Sequence, residues 1–309
     1  MNICLNAGGG LGDILRVYLS GQVGYPWCQP YWGQLEEWKR DTGGKIKLVV
    51  ASHNPSAGQF FEFVPWIDEV INIPWENDGT LLPARYAGSG FTPMRDYELI
   101  NLCSGFRWNQ PKIYLSPNEQ SEYELIMQSS RKKALIYPFG GYGARLKPER
   151  YIYLIQELYR LDYDVIIVGD SYTRNVKDDP SFIEEKFDYT KNVINLVGRD
   201  SCRLTSLLAY SADLYIGSIG SYMHAAFGRE IKSTILTCKE IWEDNGVFGS
   251  NILRNDSLWY LRRYVGSYDR CVDLVSIDNK EVDLIPLWNR IVTRMNSSSF
   301  TSEYISWGG

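Results

Sequence analysis

The stretch from Asp213 to Gly228, Asp-Leu-Tyr-Ile-Gly-Ser-Ile-Gly-Ser-Tyr-Met-His-Ala-Ala-Phe-Gly, restricts what this chain can become more than any other. Tyr215 and Ile216 suit a short buried strand. Gly217, Ser218, Gly220 and Ser221 suit a turn, and Met223 to Phe227 open a helix with Ser221 as its N-cap. A strand that runs through small residues into a helix belongs to an α/β fold. The turn also presents backbone N–H groups and the positive end of a helix dipole, a setting that suits phosphate. On these residues alone, an ordinary strand-to-helix turn and a phosphate cradle read equally well.

The same order of elements recurs on both sides of this stretch. Asn2 to Ala7 reads as a strand, Gly8-Gly-Gly-Leu-Gly-Asp13 as a glycine turn, and Ile14, Leu15, Tyr18 and Leu19 as one face of a helix. The dinucleotide fingerprint is not met, because the glycines fall at 8, 9, 10 and 12 and no acidic residue closes the second strand, Ile46 to Ala51. A nicotinamide dinucleotide role is therefore disfavoured. A Pro/aromatic loop spans Pro26 to Trp32. Gln34 to Arg40 and Phe60 to Val64 read as helical, Val70 to Ile73 as a strand, Leu81 to Met94 as an exposed loop, and Tyr97 to Leu102 as a further strand. Long aromatic loops of this kind suit acceptor binding. A polar helix from Asn118 to Ser130 ends in Arg131-Lys132-Lys133, where the boundary between a domain of residues 1–130 and one of residues 131–296 is placed.

The second half starts again with a strand, Ala134 to Tyr137, and a loop, Pro138 to Lys147. Pro148 suits a first helical turn, and Tyr151, Leu154, Ile155, Leu158 and Leu161 fall on one face. Val165 to Val168 is a continuous apolar strand, as expected in a buried parallel sheet, and ends at Gly169-Asp170. Thr173 to Thr190 reads as holding a helix, Val193 to Val197 as a strand, Leu204 to Leu208 as a helix, and Ser233 to Thr237 as another strand. A last helix, Leu284 to Met295, carries Ile285, Trp288, Val292 and Met295 on one face, and residues 297–309 read as a frayed tail. Two doubly wound domains follow, with ligands expected in a central cleft at the carboxyl ends of the strands.

Composition narrows the function classes. The chain has 309 residues, 44% hydrophobic and 22% charged, enough for two cores. Its net charge of −5 gives no general pull toward nucleic acid or anionic membranes. Ten Trp and 22 Tyr imply either aromatic-lined clefts or an aromatic core. The six cysteines are spread with no Cys-x-x-Cys pair, so reduced, buried thiols in a cytoplasmic protein are expected rather than a metal cluster. No signal peptide and no membrane-spanning segment is expected. Asp162-Tyr163-Asp164 has the form of a metal-binding Asp-x-Asp, but it precedes a strand and is read as surface.

Three segments together resemble the GT-B glycosyltransferases, specifically the ADP-heptose:lipopolysaccharide heptosyltransferase family. Gly10-Leu-Gly-Asp13 resembles the family's N-terminal Gly-x-Gly-Asp. Tyr137 to Pro148 resembles the loop that opens its second domain. Asn195-Leu-Val-Gly198 through Ala226 resembles its Asn-Leu-x-Gly to Asp-Ser-Gly-x-x-His-x-Ala region. Two departures stand out: aligned on His224, the family's Asp-Ser-Gly is Ile219-Gly220-Ser221, and its Lys-x-Trp-Pro is Arg145-Leu-Lys147-Pro148.

The resemblance implies a GT-B fold, two Rossmann-like domains, and sugar transfer from a nucleotide-diphosphate donor to a hydroxyl acceptor on a glycan or lipid-linked saccharide. It implies Asp13 as the base that takes the acceptor proton, against the plainer reading of a carboxylate that stabilises a helix N-terminus. Gly10, Gly12 and Arg16 are the expected acceptor side. The expected donor side comprises Gly140, Gly141, Arg145, Lys147, Gly169, Asp170, Val197, Gly198, Ser218, Gly220, Ser221, Tyr222, Met223 and His224. Arg145 and Lys147 would meet the diphosphate and His224 either donates to it or packs. No metal and no cofactor beyond the nucleotide-sugar co-substrate is expected, with single displacement and inversion at the anomeric carbon. A modified DNA base is an alternative acceptor, disfavoured by the acidic charge. A nucleotide-sugar epimerase or hydrolase is a further alternative, as is a non-catalytic sugar-nucleotide-binding protein.

Overall fold

The structure, a computed structural model, describes residues 1–19, 31–52, 54, 56–75, 82–138, 148–169, 193–198, 201–218, 220–229, 231–237, 272–276 and 284–296. These form β1 (Ile3–Gly8), α1 (Leu11–Leu19), α2 (Trp32–Thr42), β2 (Ile46–Ser52), α3 (Ser56–Gln59), β3 (Glu69–Pro74), α4 (Leu82–Tyr86), β4 (Thr92–Pro93), α5 (Asp96–Cys103) and α6 (Pro117–Met127). They continue with β5 (Lys132–Tyr137), α7 (Pro148–Arg160), β6 (Tyr163–Gly169), β7 (Val193–Val197), α8 (Cys202–Ser211), β8 (Leu214–Ser218), α9 (Ser221–Gly228), β9 (Lys232–Thr237), β10 (Val272–Ser276) and α10 (Leu284–Asn296). Two compact units result: Met1–Gln120 with Ser201–Leu204, and Ser121–Asp200 with Thr205–Gly309. The chain leaves the first unit at Gln120, inside α6, rather than near residue 130.

The first unit holds a parallel sheet in the order β3-β2-β1-β4. β1 and β2 are largely buried, which is why Ile3-Cys-Leu5 and Leu48-Val-Val-Ala51 read as unbroken apolar runs. β4 is short and carries Pro93, which a sheet tolerates at its edge. Beside the sheet lies an aromatic core. The Tyr18 ring meets Trp32, Phe60 and Phe61 edge to face at 5.5, 5.3 and 5.5 Å. Its hydroxyl donates to the Lys112 carbonyl at 2.8 Å, so the ring is buried without stranding its polar end. Much of the aromatic content of this unit therefore fills a core.

Three expectations fail here. Tyr97 to Leu102 is helical, within α5, because the Glu98 carboxylate accepts the Arg95 N–H at 2.6 Å and closes the first turn. Leu99 and Cys103, four residues apart, then form its buried stripe. Leu81 to Met94 is not one loop, since α4 and β4 lie within it. Phe60 to Val64 is a series of turns after α3, with Phe61 N–H on the Gly58 carbonyl and Val64 N–H on that of Phe61, each 3.1 Å.

The second unit holds a parallel sheet in the order β10-β9-β8-β5-β6-β7. Numbered within the unit this is 6-5-4-1-2-3, the Rossmann order, and its crossovers change direction between β5 and β8. α7 buries Tyr151, Leu154, Ile155 and Leu158 as predicted, while Leu161 lies past its end and is exposed. α10 turns a different face inward than predicted: Leu284, Leu287, Trp288 and Ile291 are buried and Ile285 is exposed. Two apolar stripes overlap at Trp288, and packing selects the one with the bulkier aliphatic residues. The helix expected within Thr173 to Thr190 lies outside the described residues.

The amino ends of this sheet carry charge. Lys133 is buried, and its ammonium donates to the carbonyls of Ser129 and Arg131 and to Asp164 Oδ2 at 2.9, 2.6 and 3.1 Å. Arg131 Nε lies 3.1 Å from Asp164 Oδ1, and Asp213 accepts the Lys133 backbone N–H at 2.8 Å. Asp164 is thus a buried ion-pair partner and not a surface residue; Asp162 is exposed, paired with Arg131 at 3.2 Å. Among the described residues no cluster of His, Cys, Asp and Glu could hold a metal ion. Removing one partner of a buried pair leaves the other uncompensated, so Asp164→Ala should destabilise the protein by about 3–5 kcal/mol in urea denaturation. A loss below about 1 kcal/mol would show that the two carbonyls alone suffice for Lys133.

Candidate functional site

In each unit the predicted site residues that are described gather at the carboxyl edge of the sheet. In the first unit β1 ends at Gly8, and Gly9, with φ of +106°, turns the chain into α1. That dihedral favours glycine. The turn is tied to β2: Gly9 N–H donates to the Ala51 carbonyl at 3.1 Å, and the Ser52 hydroxyl donates to the Gly9 carbonyl at 2.6 Å. Asp13 sits in the first turn of α1, and its Oδ2 accepts the Gly10 N–H at 3.0 Å. The carboxylate is exposed, and a Cβ built on Gly9 would lie 2.7 Å from Oδ2. Gly10 and Gly12 belong to the same turn.

This geometry recurs twice in the unit: Glu98 accepts the Arg95 N–H, and Glu119 accepts the Ser116 N–H at 2.8 Å. The helix-capping reading of Asp13 is therefore physically satisfied. What separates Asp13 from the other two is its place, at the carboxyl end of β1 where crossovers part toward β2 and β4.

In the second unit the corresponding place is the carboxyl edge of β5 and β8. The small-residue turn is shorter than predicted, since β8 runs through Gly217 to Ser218 and α9 begins at Ser221. Ser218 is fully buried as the last strand residue rather than exposed in a turn. A Cβ on Gly217 would meet the Tyr137 carbonyl oxygen at 2.6 Å, so this strand pair admits only glycine there. Gly220 has a different reason from the one its position suggested. It is not among the glycines with positive φ, and a Cβ there would lie 2.5 Å from Cε1 of Tyr137. The aromatic ring, not a ligand, occupies the space that this glycine leaves.

Tyr222 and Met223 are buried, and the Tyr222 ring meets Tyr137 edge to face at 5.3 Å. Their side chains serve packing. His224 is half-buried in the same helix. On the next strands Gly169 pairs with Val197, and Gly198, with φ of +80°, donates its N–H to the Gly169 carbonyl at 2.7 Å. Gly169, Val197 and Gly198 thus stand at the carboxyl ends of β6 and β7, while Gly220, Ser221 and His224 follow that of β8. Gly140, Gly141, Arg145, Lys147, Asp170 and the Arg16 side chain lie outside the described residues.

Sequence reasoning missed Tyr137 and Trp75, each at the carboxyl end of a strand, and the hydroxyl of Tyr215. Tyr215 Oη is buried without a hydrogen-bond partner among the described residues. Burial first, then the nearby Tyr137 and Tyr151, push this phenol well above its ordinary range. The signal for Tyr137 was its place as the last apolar residue before the Pro138 loop. Cys4, Cys103 and Cys202 are buried. Burial raises the thiols of Cys4 and Cys103 to about 11 and about 12, so they are inert packing residues at neutral pH.

No protein-family model matches this sequence, and no curated protein sequence matches it. Solved structures do match. The Escherichia coli ADP-heptose lipopolysaccharide heptosyltransferase II aligns over 96% of this chain and 98% of its own, at 12% identity and a TM-score of 0.56. The glycosyl transferase family 9 protein from Veillonella parvula DSM 2008 aligns over 95% of this chain and 97% of its own, at 11% identity and a TM-score of 0.54. The chain has the two-unit α/β fold of these proteins, the GT-B class.

The Gly220 geometry makes a specific prediction. Gly220→Ala should destabilise the protein by about 1–3 kcal/mol through overpacking against the Tyr137 ring. In a Tyr137→Val background the same change should cost at least about 1 kcal/mol less. Equal costs in both backgrounds, by urea denaturation, would show that the ring is not what the glycine accommodates.

Proposed function

We propose that this protein is an inverting, metal-independent glycosyltransferase that moves a sugar from a nucleotide-diphosphate donor to a hydroxyl of a glycan or lipid-linked saccharide. The observation that carries this reading is Asp13. In a GT-B fold, an exposed carboxylate is oriented by the Gly10 N–H at the carboxyl end of the first strand. An Asp positioned this way accepts the proton of an acceptor hydroxyl. The hydroxyl oxygen then bonds to the anomeric carbon of the donor, the carbon–oxygen bond to the diphosphate breaks, and the nucleoside diphosphate leaves with the electron pair. One displacement inverts the anomeric configuration.

The leaving diphosphate gains most of its negative charge in the transition state, so fixed donors aimed at it lower the barrier. The first turn of α9, at the position where the Rossmann order changes direction, supplies backbone amides and a helix dipole for that purpose. Arg145 and Lys147, which precede α7 in the sequence, are the positive charges assigned here to the diphosphate, in place of a metal ion.

The experiment is a thermal-shift panel of nucleoside diphosphates and nucleotide sugars, followed by assay of donor hydrolysis and transfer with the nucleotide that stabilises the protein. Asp13→Asn can still accept the Gly10 N–H, so it should cost at most about 1 kcal/mol of stability. It should lower turnover by roughly 10²-fold or more with donor binding retained. Full activity in this variant would remove Asp13 from the chemistry.

The diphosphate role of the loop is tested separately. Replacing Arg145 and Lys147 together by Ala should weaken nucleoside diphosphate binding by roughly tenfold or more, with little effect on the nucleoside. Equal losses for both ligands in calorimetry would show that the loop does not clamp phosphate.

A further inference from the structure

β3 ends at Pro74, and the next residue, Trp75, is 37% exposed. Pro74 pairs with Ser52 at the end of β2, and Ala51 of β2 pairs with Gly8 at the end of β1. Adjacent strands lie about 4.8 Å apart, so β3 and β1 are separated by nearly 10 Å. The indole nonetheless reaches β1: a Cβ built on Gly8 would lie 3.2 Å from Trp75 Cζ3 and 3.9 Å from Cη2. The ring therefore lies across the carboxyl end of β2 and comes to rest against Gly8. A side chain at residue 8 would press on it.

Asp13 approaches the adjoining residue, with its Oδ2 2.7 Å from a Cβ position on Gly9. Trp75 thus borders Gly8, and the exposed Asp13 carboxylate borders the adjoining residue, Gly9. An indole presents an electron-rich face that attracts the polarised C–H groups on one side of a pyranose ring. The Asp13 carboxylate, which borders the adjoining residue Gly9, accepts a hydroxyl proton from such a sugar. A nucleic-acid acceptor would also stack on an aromatic, but its phosphates would meet Asp13 and a chain of net charge −5.

We infer that Trp75 is the stacking platform of the acceptor sugar and orients its reactive hydroxyl toward Asp13. The inference rests on the glycosyltransferase reading above and names the acceptor as a saccharide bound through a pyranose face. Trp75 is a positioning residue: it takes no part in proton transfer and acts by holding the ring flat beside the carboxylate.

Saturation-transfer NMR on the full chain, with and without saturating UDP or ADP, tests this directly. The probes are methyl α-D-mannopyranoside, methyl β-D-glucopyranoside and methyl β-D-galactopyranoside, with deoxythymidine as the nucleobase probe. At least one pyranoside should receive saturation at its ring C–H protons. The signal should fall roughly fivefold or more in Trp75→Ala and be largely kept in Trp75→Phe, as the size of an aromatic contact implies. The Phe variant preserves the test if the Ala variant does not fold.

Pyranoside signals that persist in a folded Trp75→Ala would overturn the platform, as would transfer to deoxythymidine in place of every pyranoside, or no pyranoside signal in the unaltered protein. The glycosyltransferase reading is decided separately, by nucleotide-sugar binding and hydrolysis in the unaltered protein. Donor hydrolysis combined with pyranoside signals indifferent to Trp75 would sink the platform alone. Pyranoside signals that need Trp75, in a protein binding no nucleotide sugar, would sink the transferase and leave a sugar-binding surface.

Discussion

The contact on which the second unit depends is the approach of β8 to β5 at their carboxyl ends. Any side chain on Gly217 would lie 2.6 Å from the Tyr137 carbonyl oxygen, so the pairing of these two residues exists only with glycine. The crossovers of the six-stranded sheet depart in opposite directions from this strand pair. Tyr137 then fills the space above the strand ends and packs on Tyr222 of α9. Gly220 is small because the Tyr137 ring lies over it. A single backbone approach thus fixes the tyrosine, the following glycine and the start of α9.

The two edges of this sheet divide their duties by charge. At the amino ends of β5, β6 and β8, Lys133, Arg131, Asp164 and Asp213 neutralise one another and fasten strand starts to neighbouring loops. At the carboxyl ends, the described residues of the candidate site carry no carboxylate, lysine or arginine: they are Gly169, Val197, Gly198, Ser218, Gly220, Ser221, Tyr222, Met223 and His224. Charge is spent on holding the sheet where no ligand is expected. Polar backbone is left where a diphosphate would supply the charge itself.

Much of the architecture could be read from the sequence because parallel strands buried on both faces appear as continuous apolar runs, such as Val165-Ile-Ile-Val168 and Leu48-Val-Val-Ala51. The failures lie where a local hydrogen bond overrides composition. Tyr97 to Leu102 carries strand-forming residues, but Glu98 closes a helical turn on Arg95. α10 carries two apolar stripes, and only tertiary packing chooses between them. Asp164 looked superficial because its partners, Lys133 and Arg131, come from a distant segment, the nearer of them 31 residues away. The candidate site was legible as positions along the chain, since Asp13 and Ser221 are where the turns require them. It was not legible as contacts: neither Tyr137 against Gly220 nor Trp75 against Gly8 follows from any spacing in the sequence.

The first unit closes with residues encoded far downstream of it. Ser201–Leu204, the entry to α8, belongs to that unit, where Arg203 bonds the Glu119 carboxylate and Glu62, stacks on Phe63 and donates to the Gln59 carbonyl. Glu119 also accepts the Ser201 hydroxyl. Glu119 and Arg203 are 84 residues apart. During synthesis at about 5–20 residues per second, the first unit therefore waits roughly 4–17 s for its last hydrogen bonds, while most of β5 to β7 is still emerging. A nascent chain halted before Arg203 holds a first unit with Glu62 and Glu119 unneutralised by it, so the two halves mature as interleaved and not successive events on the ribosome.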